Sequence, residues 1–158
     1  MLNRGLIEGY LSEMKAVAEN MSVEDIDRAI ELLLGAWRRG AQVFTCGNGG
    51  SAADAQHFAA EFVNKFKLER KPLPAIALTT DTSTLTAISN DAGFDHVFEK
   101  QIQALGVKND ILIVITTSDI SFDKNRHSTN IARALTAAQK KEMKIIGLVS
   151  QKSKDILK

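Results

Sequence analysis

Residues 42–62 read QVFTCGNGGSAADAQHFAAEF, and this stretch decides the fold. A short apolar run, Gln42 to Cys46, predicts a β-strand that ends at a glycine-rich turn. The segment from Ala52 to Phe66 follows with the composition of a helix. A strand, a tight turn and a helix in this order begin a β-α-β unit, in which the next strand lies parallel and the crossover is right-handed.

Three further apolar runs continue this alternation of strands and helices. The predicted strands are Ala75 to Leu78, Ile111 to Ile115 and Lys144 to Val149. The predicted helices run from Asp81 or Thr82 to Ser89, from Asp95 to Leu105 and from Thr129 to Glu142. The third and fourth strands are apolar enough to be buried on both faces. The sequence therefore predicts an α/β fold built on a parallel sheet.

Two amphipathic helices precede the predicted sheet. The first covers Leu2 to Asn20, and the second begins after a capping Ser22 and stops at Gly40. The first helix has more apolar surface than one neighbouring helix and one sheet face would cover. That surface either packs on the sheet or lies against another subunit. We expect a single domain, with residues 1–40 as the helical pair and 41–158 as the sheet core.

Composition and charge exclude several classes of protein. The 158 residues carry 20 Lys and Arg against 19 Asp and Glu, a formal net charge of +1. A general nucleic-acid binder requires a basic surface that this balance does not supply. The single cysteine, Cys46, excludes an internal disulfide and a multi-cysteine zinc site. Because no apolar run predicts a signal peptide or a membrane span, we expect a cytoplasmic protein with no nucleic-acid or membrane partner.

Three polar loops follow the predicted strands, at Gly47–Ser51, Thr79–Ser83 and Thr116–Ser128. Ligands of open parallel sheets bind beyond the carboxyl ends of the strands. Glycines let backbone amides approach an anion, a helix N-terminus favours negative charge, and Ser51 adds a hydroxyl donor. The third loop supplies more hydroxyl groups. The pattern favours phosphate or sugar binding over ordinary loop chemistry.

The glycine loop also matches a loose dinucleotide-binding pattern, Gly47-x-Gly49-x-x-Ala52. The acidic residue that such a site needs would be Asp81, which lies about 30 residues past the loop rather than the usual ~20. Asp81 also stands where the following helix needs a cap. The spacing therefore disfavours a dinucleotide site.

His57 and Glu61 are four residues apart on the first sheet helix, so both side chains lie on one helical face. This spacing suits a pair of metal ligands or a proton-transfer pair, and it also occurs as an ordinary surface hydrogen bond. The pair lies one turn beyond the glycine loop, among apolar neighbours, which favours a functional role. His96 and His127 lack such surroundings, and Cys46 is predicted to pack in the core.

Three segments of the chain resemble the phosphoheptose isomerases, which have the sugar-isomerase (SIS) fold. They are Cys46 to Phe62, Leu73 to Ser83 and Ala87 to Asp91. The resemblance implies a flavodoxin-like, doubly wound parallel sheet of five strands, and N-terminal helices that build a homotetramer with ligand sites between subunits. It also implies conversion of sedoheptulose 7-phosphate to D-glycero-D-manno-heptose 7-phosphate for bacterial surface lipopolysaccharide.

The resemblance assigns roles to individual residues. Glu61 matches the catalytic base, and His57 with Glu61 matches two ligands of the zinc site seen in some members. Ser128 and Asn130 match the Ser-x-Asn that ends the family's phosphate loop. With the hydroxyl of Ser51 added, the expected substrate-binding residues are Asn48, Gly49, Gly50, Ser51, Asn90, Asp91, Thr116, Thr117, Ser118 and Ser128.

The chain departs from the family pattern in two places. Its phosphate loop carries seven additional residues between Ser118 and Ser128, and Asp119 replaces a glycine, which places a negative charge near the phosphate. The family's last strand and last helix, which carry a Gln and a His of the zinc site, have no counterpart in these 158 residues. We therefore expect the chain to hold zinc weakly through His57 and Glu61, or to be metal-free.

A second function from another class fits the same fold. Some relatives of the SIS fold are non-catalytic sugar-phosphate-binding or protein-binding regulators, one of which associates with the bacterial replication initiator. Those relatives lose the catalytic glutamate, whereas this chain retains Glu61. The retained glutamate favours the isomerase, and the altered phosphate loop favours the binding factor.

Overall fold

The computed structural model describes residues 2–121, 128–150 and 152–153, in which helices and strands alternate after a helical start. The helices are α1 (Leu2–Glu19), α2 (Val23–Arg39), α3 (Gly50–Val63), α4 (Thr82–Ala92), α5 (Val97–Leu105) and α6 (Thr129–Lys140). The strands are β1 (Val43–Gly47), β2 (Ala75–Ala77), β3 (Ile111–Ile115) and β4 (Lys144–Leu148). A 3-10 turn, Phe94–His96, leads into α5.

The four strands form one parallel sheet in the order β2-β1-β3-β4. Val43 at the start of β1 is level with Ala75 of β2 on one side and with Ile111 of β3 on the other. Ile111 is in turn level with Lys144 of β4. The chain therefore leaves β1 in one direction to form β2 and in the other to form β3, which makes the end of β1 a topological switch point.

Alternate residues of the strands point into two apolar cores. Phe44, Leu112 and Val114 face a core that includes side chains of α5 and α6. Val43, Ile111 and Ile113 face a second core, against which Leu33 and Ala36 of α2 and Phe62 of α3 pack. Helices thus cover both faces of the sheet, and the predicted doubly wound α/β fold is confirmed.

Cys46 lies in the first core and is fully buried. The prediction that it is a packing residue is confirmed. Its burial raises the pKa of the thiol far above the usual range, because a thiolate would have no solvation there. This side chain is therefore unsuited to nucleophilic or metal chemistry.

Most predicted element boundaries agree with the structure to within three residues. The bounds of β3 are as predicted, whereas α3 ends at Val63 rather than Phe66. The predicted burial of the fourth strand on both faces is wrong, because β4 lies at one end of the strand order and pairs with β3 alone among the described strands. Lys144 and Leu148 at its two ends are exposed.

The start and end of α2 are as predicted. The backbone N–H of Asp25 donates to the Ser22 hydroxyl at 3.1 Å, which caps the first turn. The helix ends before Gly40, whose φ of 69° is the left-handed conformation that glycine adopts without strain. Within the described residues, no helix combines the length and hydropathy that a membrane span requires.

The chain divides into two compact units, Met1–Glu31 and Leu32–Lys158. The first unit holds α1 and the first half of α2, and the second holds the sheet and its covering helices. Large apolar side chains of α1 are exposed: Leu6, Ile7, Tyr10, Leu11, Met14 and Val17. The sheet unit contains every residue of the candidate site described below.

We predict that Gly47→Ala destabilises the sheet unit by about 3 kcal/mol, because there is no space for a methyl group. A Cβ at this position would lie 2.9 Å from the Ile115 carbonyl oxygen and still closer to that of Ser51. Urea unfolding measures the change. Gly50→Ala is the matched control, since a Cβ there meets nothing within 4 Å. Equal stability of the two variants would contradict the prediction.

Candidate functional site

The carboxyl ends of β1, β2 and β3 lie at one edge of the sheet because the strands are parallel. The glycine loop after β1 lies between the other two strand ends, since β1 has β2 on one side and β3 on the other. The predicted convergence of polar loops at this edge is confirmed for residues 47–51, 79–83 and 116–121. Residues 122–127, with His127 among them, lie outside the described residues.

The glycine loop turns β1 directly into α3. Gly49 has φ 54° and ψ −122°, a conformation that is strained for a residue with a side chain. This turn allows α3 to begin at Gly50, immediately beyond the strand end. The first N–H groups of a helix lack acceptors within the helix, and together with the helix dipole they attract an anion. Ser51 lies in this first turn, half-buried.

A reciprocal pair of amide hydrogen bonds joins the glycine loop to the start of α6. Asn48 Nδ2 donates to Asn130 Oδ1 at 2.9 Å, and Asn130 Nδ2 donates to Asn48 Oδ1 at 2.8 Å. Asn130 is almost completely buried, and its Oδ1 also accepts from the Ile131 N–H at 2.9 Å. The Asn48 amide is thus committed to Asn130, so a ligand would meet the backbone of this loop.

The hydroxyl groups of Thr116 and Ser128 approach each other from the two ends of the third loop. Their oxygens are 3.5 Å apart, and Thr116 Oγ1 accepts from the Ser118 N–H at 3.1 Å. Thr116 is buried, whereas Thr117 and Ser118 are exposed. Ser128 has a left-handed φ of 67°, immediately before α6 begins. The structure therefore brings together both ends of the predicted phosphate loop.

The carboxylate of Asp119 accepts a hydrogen bond from the Ser150 hydroxyl at 3.1 Å. The neighbouring Ile120 N–H donates to Ser153 Oγ at 3.0 Å, so the segment after β3 is attached to the segment after β4. Asp119 itself is exposed. Its charge is therefore partnered by a hydroxyl group and open to solvent.

The second loop caps α4 as predicted. Asp81 accepts from the Thr84 N–H at 3.0 Å and from the Thr84 hydroxyl at 2.7 Å. These hydrogen bonds hold the pKa of the Asp81 carboxyl below its usual range. A carboxylate engaged as a helix cap is not placed to bind a ribose, so the structure agrees with the sequence in disfavouring a dinucleotide site.

Asn90 and Asp91 lie near the other end of α4. Asn90 Nδ2 donates to Asp91 Oδ1 at 2.8 Å, and both residues are exposed. At the helical rise, Asn90 is about 13 Å along the axis from Asp81. The position of the β2 end does not by itself bring Asn90 and Asp91 beside the glycine loop.

His57 and Glu61 form the predicted pair on one face of α3. His57 Nε2 and Glu61 Oε1 are 3.0 Å apart. The other carboxylate oxygen, Glu61 Oε2, is buried and has no hydrogen-bond partner among the described residues. Buried polar atoms are rarely left unpaired, so this oxygen is placed to accept a hydrogen bond from a ligand or to take up a proton.

Both side chains line a cavity of about 700 Å³ in the sheet unit. Its lining is mostly apolar and includes Trp37, Phe58, Phe62, Phe66, Ile115 and Leu148. Within the described residues, no group of three or more His, Cys, Asp and Glu side chains could hold a metal ion. His57 and Glu61 therefore offer one nitrogen ligand and one carboxylate ligand, half of the four ligands of a typical structural zinc site.

The sequence analysis assigned no role to two residues of this region: Arg70 was not identified, and Thr79 was named only as the start of the second polar loop. Arg70 lines the cavity and donates to the carbonyl oxygens of Phe62 at 2.9 Å and Glu61 at 2.5 Å. Thr79, at the end of β2, has a buried hydroxyl oxygen without a partner among the described residues. An arginine or a threonine in a loop has no periodic pattern that could have revealed either one.

The comparisons with known proteins identify the class. The SIS-domain family model matches residues 9–150. A phosphoheptose isomerase from Nitratidesulfovibrio vulgaris is 46% identical over 151 residues, which cover 94% of this chain and 69% of that protein. One from Aromatoleum aromaticum is 52% identical over 120 residues, 76% of this chain but only 57% of the relative.

Two solved structures are similar over nearly the whole chain. A phosphoheptose isomerase from Neisseria gonorrhoeae has a TM-score of 0.83 and 42% identity, covering 99% of this chain and 79% of that one. One from Francisella tularensis has a TM-score of 0.86 and 38% identity, covering 100% and 82%. The chain therefore belongs to the SIS-domain family and, within it, to the phosphoheptose isomerases.

We predict that the Asn48 and Asn130 amides are energetically coupled. Asn130→Ala should lower the free energy of unfolding by about 2 kcal/mol, because it leaves the Asn48 amide without its partner. In a double-mutant cycle with Asn48→Ala, the two effects should differ from additivity by about 1 kcal/mol. Gln139→Ala, on an exposed position of the same helix, is the control. Additive effects in urea unfolding would contradict the prediction.

Proposed function

We propose that this chain isomerises sedoheptulose 7-phosphate to D-glycero-D-manno-heptose 7-phosphate. One observation supports this most directly: Glu61 lines a cavity of the sheet unit and has a buried carboxylate oxygen without a hydrogen-bond partner among the described residues. Relatives named phosphoheptose isomerase, at 46% to 52% identity, favour the enzyme over a non-catalytic binding factor.

Glu61 acts as the base in the proposed mechanism. Its carboxylate removes the proton from the carbon next to the ketose carbonyl, and the electron pair forms an enediol. The hydroxyl proton of that carbon moves to the former carbonyl oxygen, and Glu61 returns its proton to the former carbonyl carbon. The largely apolar lining lowers the polarity around the carboxylate, which strengthens its electrostatic interactions with the reacting atoms.

The strand ends bind the phosphorylated part of the substrate in this proposal. The N–H groups of Gly50 and Ser51, which begin α3, supply donors for an anion, and the hydroxyls of the third loop supply more. Such contacts hold the sugar in a fixed orientation toward Glu61. The proposed contact residues are Asn48, Gly49, Gly50, Ser51, Asn90, Asp91, Thr116, Thr117, Ser118 and Ser128, with Asn48 acting through its backbone.

The product heptose would serve the synthesis of bacterial surface lipopolysaccharide. We also propose a cytoplasmic location for the protein. The near balance of charges, at a formal net charge of +1, agrees with a small-molecule substrate rather than a nucleic-acid partner.

Zinc is a further part of the proposal, and His57 and Glu61 are the residues that would hold it. Their contacting atoms lie 3.0 Å apart, and the second Glu61 oxygen is unpaired within the described part of the chain. A bound zinc ion would act as a Lewis acid toward a sugar oxygen. Two ligands are fewer than the three or four of typical protein zinc sites, so the proposed binding is weak.

We predict that Glu61→Gln lowers kcat by about 10²- to 10⁴-fold, because the amide cannot accept the proton. Binding of the sugar phosphate should be nearly unchanged, since the amide has almost the same shape. A coupled assay for aldose formation and calorimetric titration measure the two quantities. Glu69→Gln, at an exposed loop position, is the matched control. Wild-type turnover in Glu61→Gln would contradict the assignment.

For zinc, we predict less than one equivalent per chain after dialysis, measured by elemental analysis. His57→Ala should abolish what remains, whereas His96→Ala should leave it unchanged, because His96 pairs with Glu99 at 2.7 Å. One full equivalent retained by the wild-type chain and lost in His57→Ala would show that the site is tight and contains further ligands.

We also propose that the chain assembles as a homotetramer through α1. The exposed apolar side chains of this helix support the proposal, because patches of that kind usually mark an interface.

Light scattering after size-exclusion chromatography should give the tetramer mass at micromolar concentration. Leu6→Glu together with Met14→Glu should lower that mass, because each introduces a charge into the apolar face. Lys15→Glu, at an exposed position of the same helix, should leave it unchanged. A wild-type monomer under these conditions would refute the proposal.

A further inference from the structure

Arg70 makes three hydrogen bonds to backbone carbonyl oxygens near the end of α3. Nη2 donates to the Glu61 carbonyl at 2.5 Å, and Nη1 donates to the Phe62 carbonyl at 2.9 Å. Nη1 also donates to the carbonyl of Lys71 at 3.0 Å. The side chain thereby joins the last turn of the helix to the loop that leads back into the sheet.

The end of α3 explains why these carbonyls need a donor. The helix ends at Val63 and is capped at Asn64, so the usual donors four residues ahead of Glu61 and Phe62 lie beyond the helix. The Phe62 carbonyl also accepts from the Leu73 N–H at 3.0 Å. The Glu61 carbonyl accepts its hydrogen bond from Arg70 Nη2.

The same turn carries the carboxylate that the proposed reaction needs. Glu61 is the third residue from the end of α3, where helices fray most readily. Its carboxylate must stay beside His57 and inside the cavity, which Arg70 also lines. A planar guanidinium can hold two adjacent carbonyls at once, whereas the ammonium of lysine has no such fixed fork.

We propose that Arg70 is a positioning residue that fixes the last turn of α3, so that the Glu61 carboxylate stays beside His57 in the cavity. Its importance for turnover rests on the proposed isomerase function, but its effect on the Glu61 side chain does not. Arg70 acts on the backbone of Glu61 and does not itself enter the reaction.

The first test measures the His57–Glu61 contact without any substrate. Nitrogen NMR of the imidazole groups reports the environment of His57 Nε2, and His57→Ala identifies its signal among the three histidines. Glu61→Gln should move this signal, and Arg70→Ala should move it in the same direction. Lys71→Ala, which removes a neighbouring exposed charge, should leave it in place. A signal that stays at the wild-type position in Arg70→Ala, or in Glu61→Gln, overturns the proposal.

Arg70→Lys keeps the test decisive if Arg70→Ala does not fold. The lysine should displace the His57 signal partly, since one ammonium replaces two forked contacts. A wild-type signal in Arg70→Lys then overturns the proposal. Guanidinium chloride at low concentration should shift the signal of Arg70→Ala back toward the wild-type position, since the truncated side chain leaves space for the added guanidinium.

The second test measures turnover. Arg70→Ala should lower kcat by about 10- to 100-fold, because a small displacement of a catalytic group is costly, and KM should stay within about twofold. Added guanidinium should restore part of kcat in Arg70→Ala and none in Glu61→Gln. Unchanged kcat in Arg70→Ala overturns the positioning role. An inactive wild-type chain would refute the isomerase function, and the NMR signal would still decide the role of Arg70.

Discussion

The close approach of three backbone segments at Gly47 is the constraint on which the rest of the structure depends. The end of β1, the first turn of α3 and the end of β3 meet there with no space for a side chain. Because of that contact, α3 starts directly at the strand end, beside the neighbouring strand. The position of α3 then determines where His57 and Glu61 lie, two and three turns further along the helix.

The sheet unit thus places two kinds of chemistry on one helix. Its N-terminal end supplies backbone donors at a polar edge, where an anion is stabilised. Its other end carries the Glu61 carboxylate to a mostly apolar cavity, where one of its oxygens is buried.

Most strands and helices were predicted correctly because each depends on the pattern of its own neighbouring residues. The apolar run Ile111–Ile115 and the capping Asp81 were identified from neighbouring residues alone, and both are confirmed. The burial of β4 was predicted wrongly, since burial of a strand depends on its place in the sheet and not on its own composition.

Contacts within the candidate site were predictable only where both residues lie on one helix. The His57–Glu61 contact followed from helical spacing, and the structure confirms it at 3.0 Å. The Asn48–Asn130 pair joins residues 82 positions apart, and Arg70 reaches back from a loop, so no spacing in the sequence points to either contact. Long-range contacts of this kind arise from the packing of the whole sheet unit.

The Asn48–Asn130 pair has a consequence for how the site responds to its surroundings. Both partners are neutral amides that neither gain nor lose a proton in water near neutrality. A carboxylate paired with a lysine or arginine at the same place would weaken with salt and with acid. The distance between the glycine loop and the start of α6 should therefore be insensitive to ionic strength and pH. Any response of the protein to ionic strength or pH then arises from its ionisable groups.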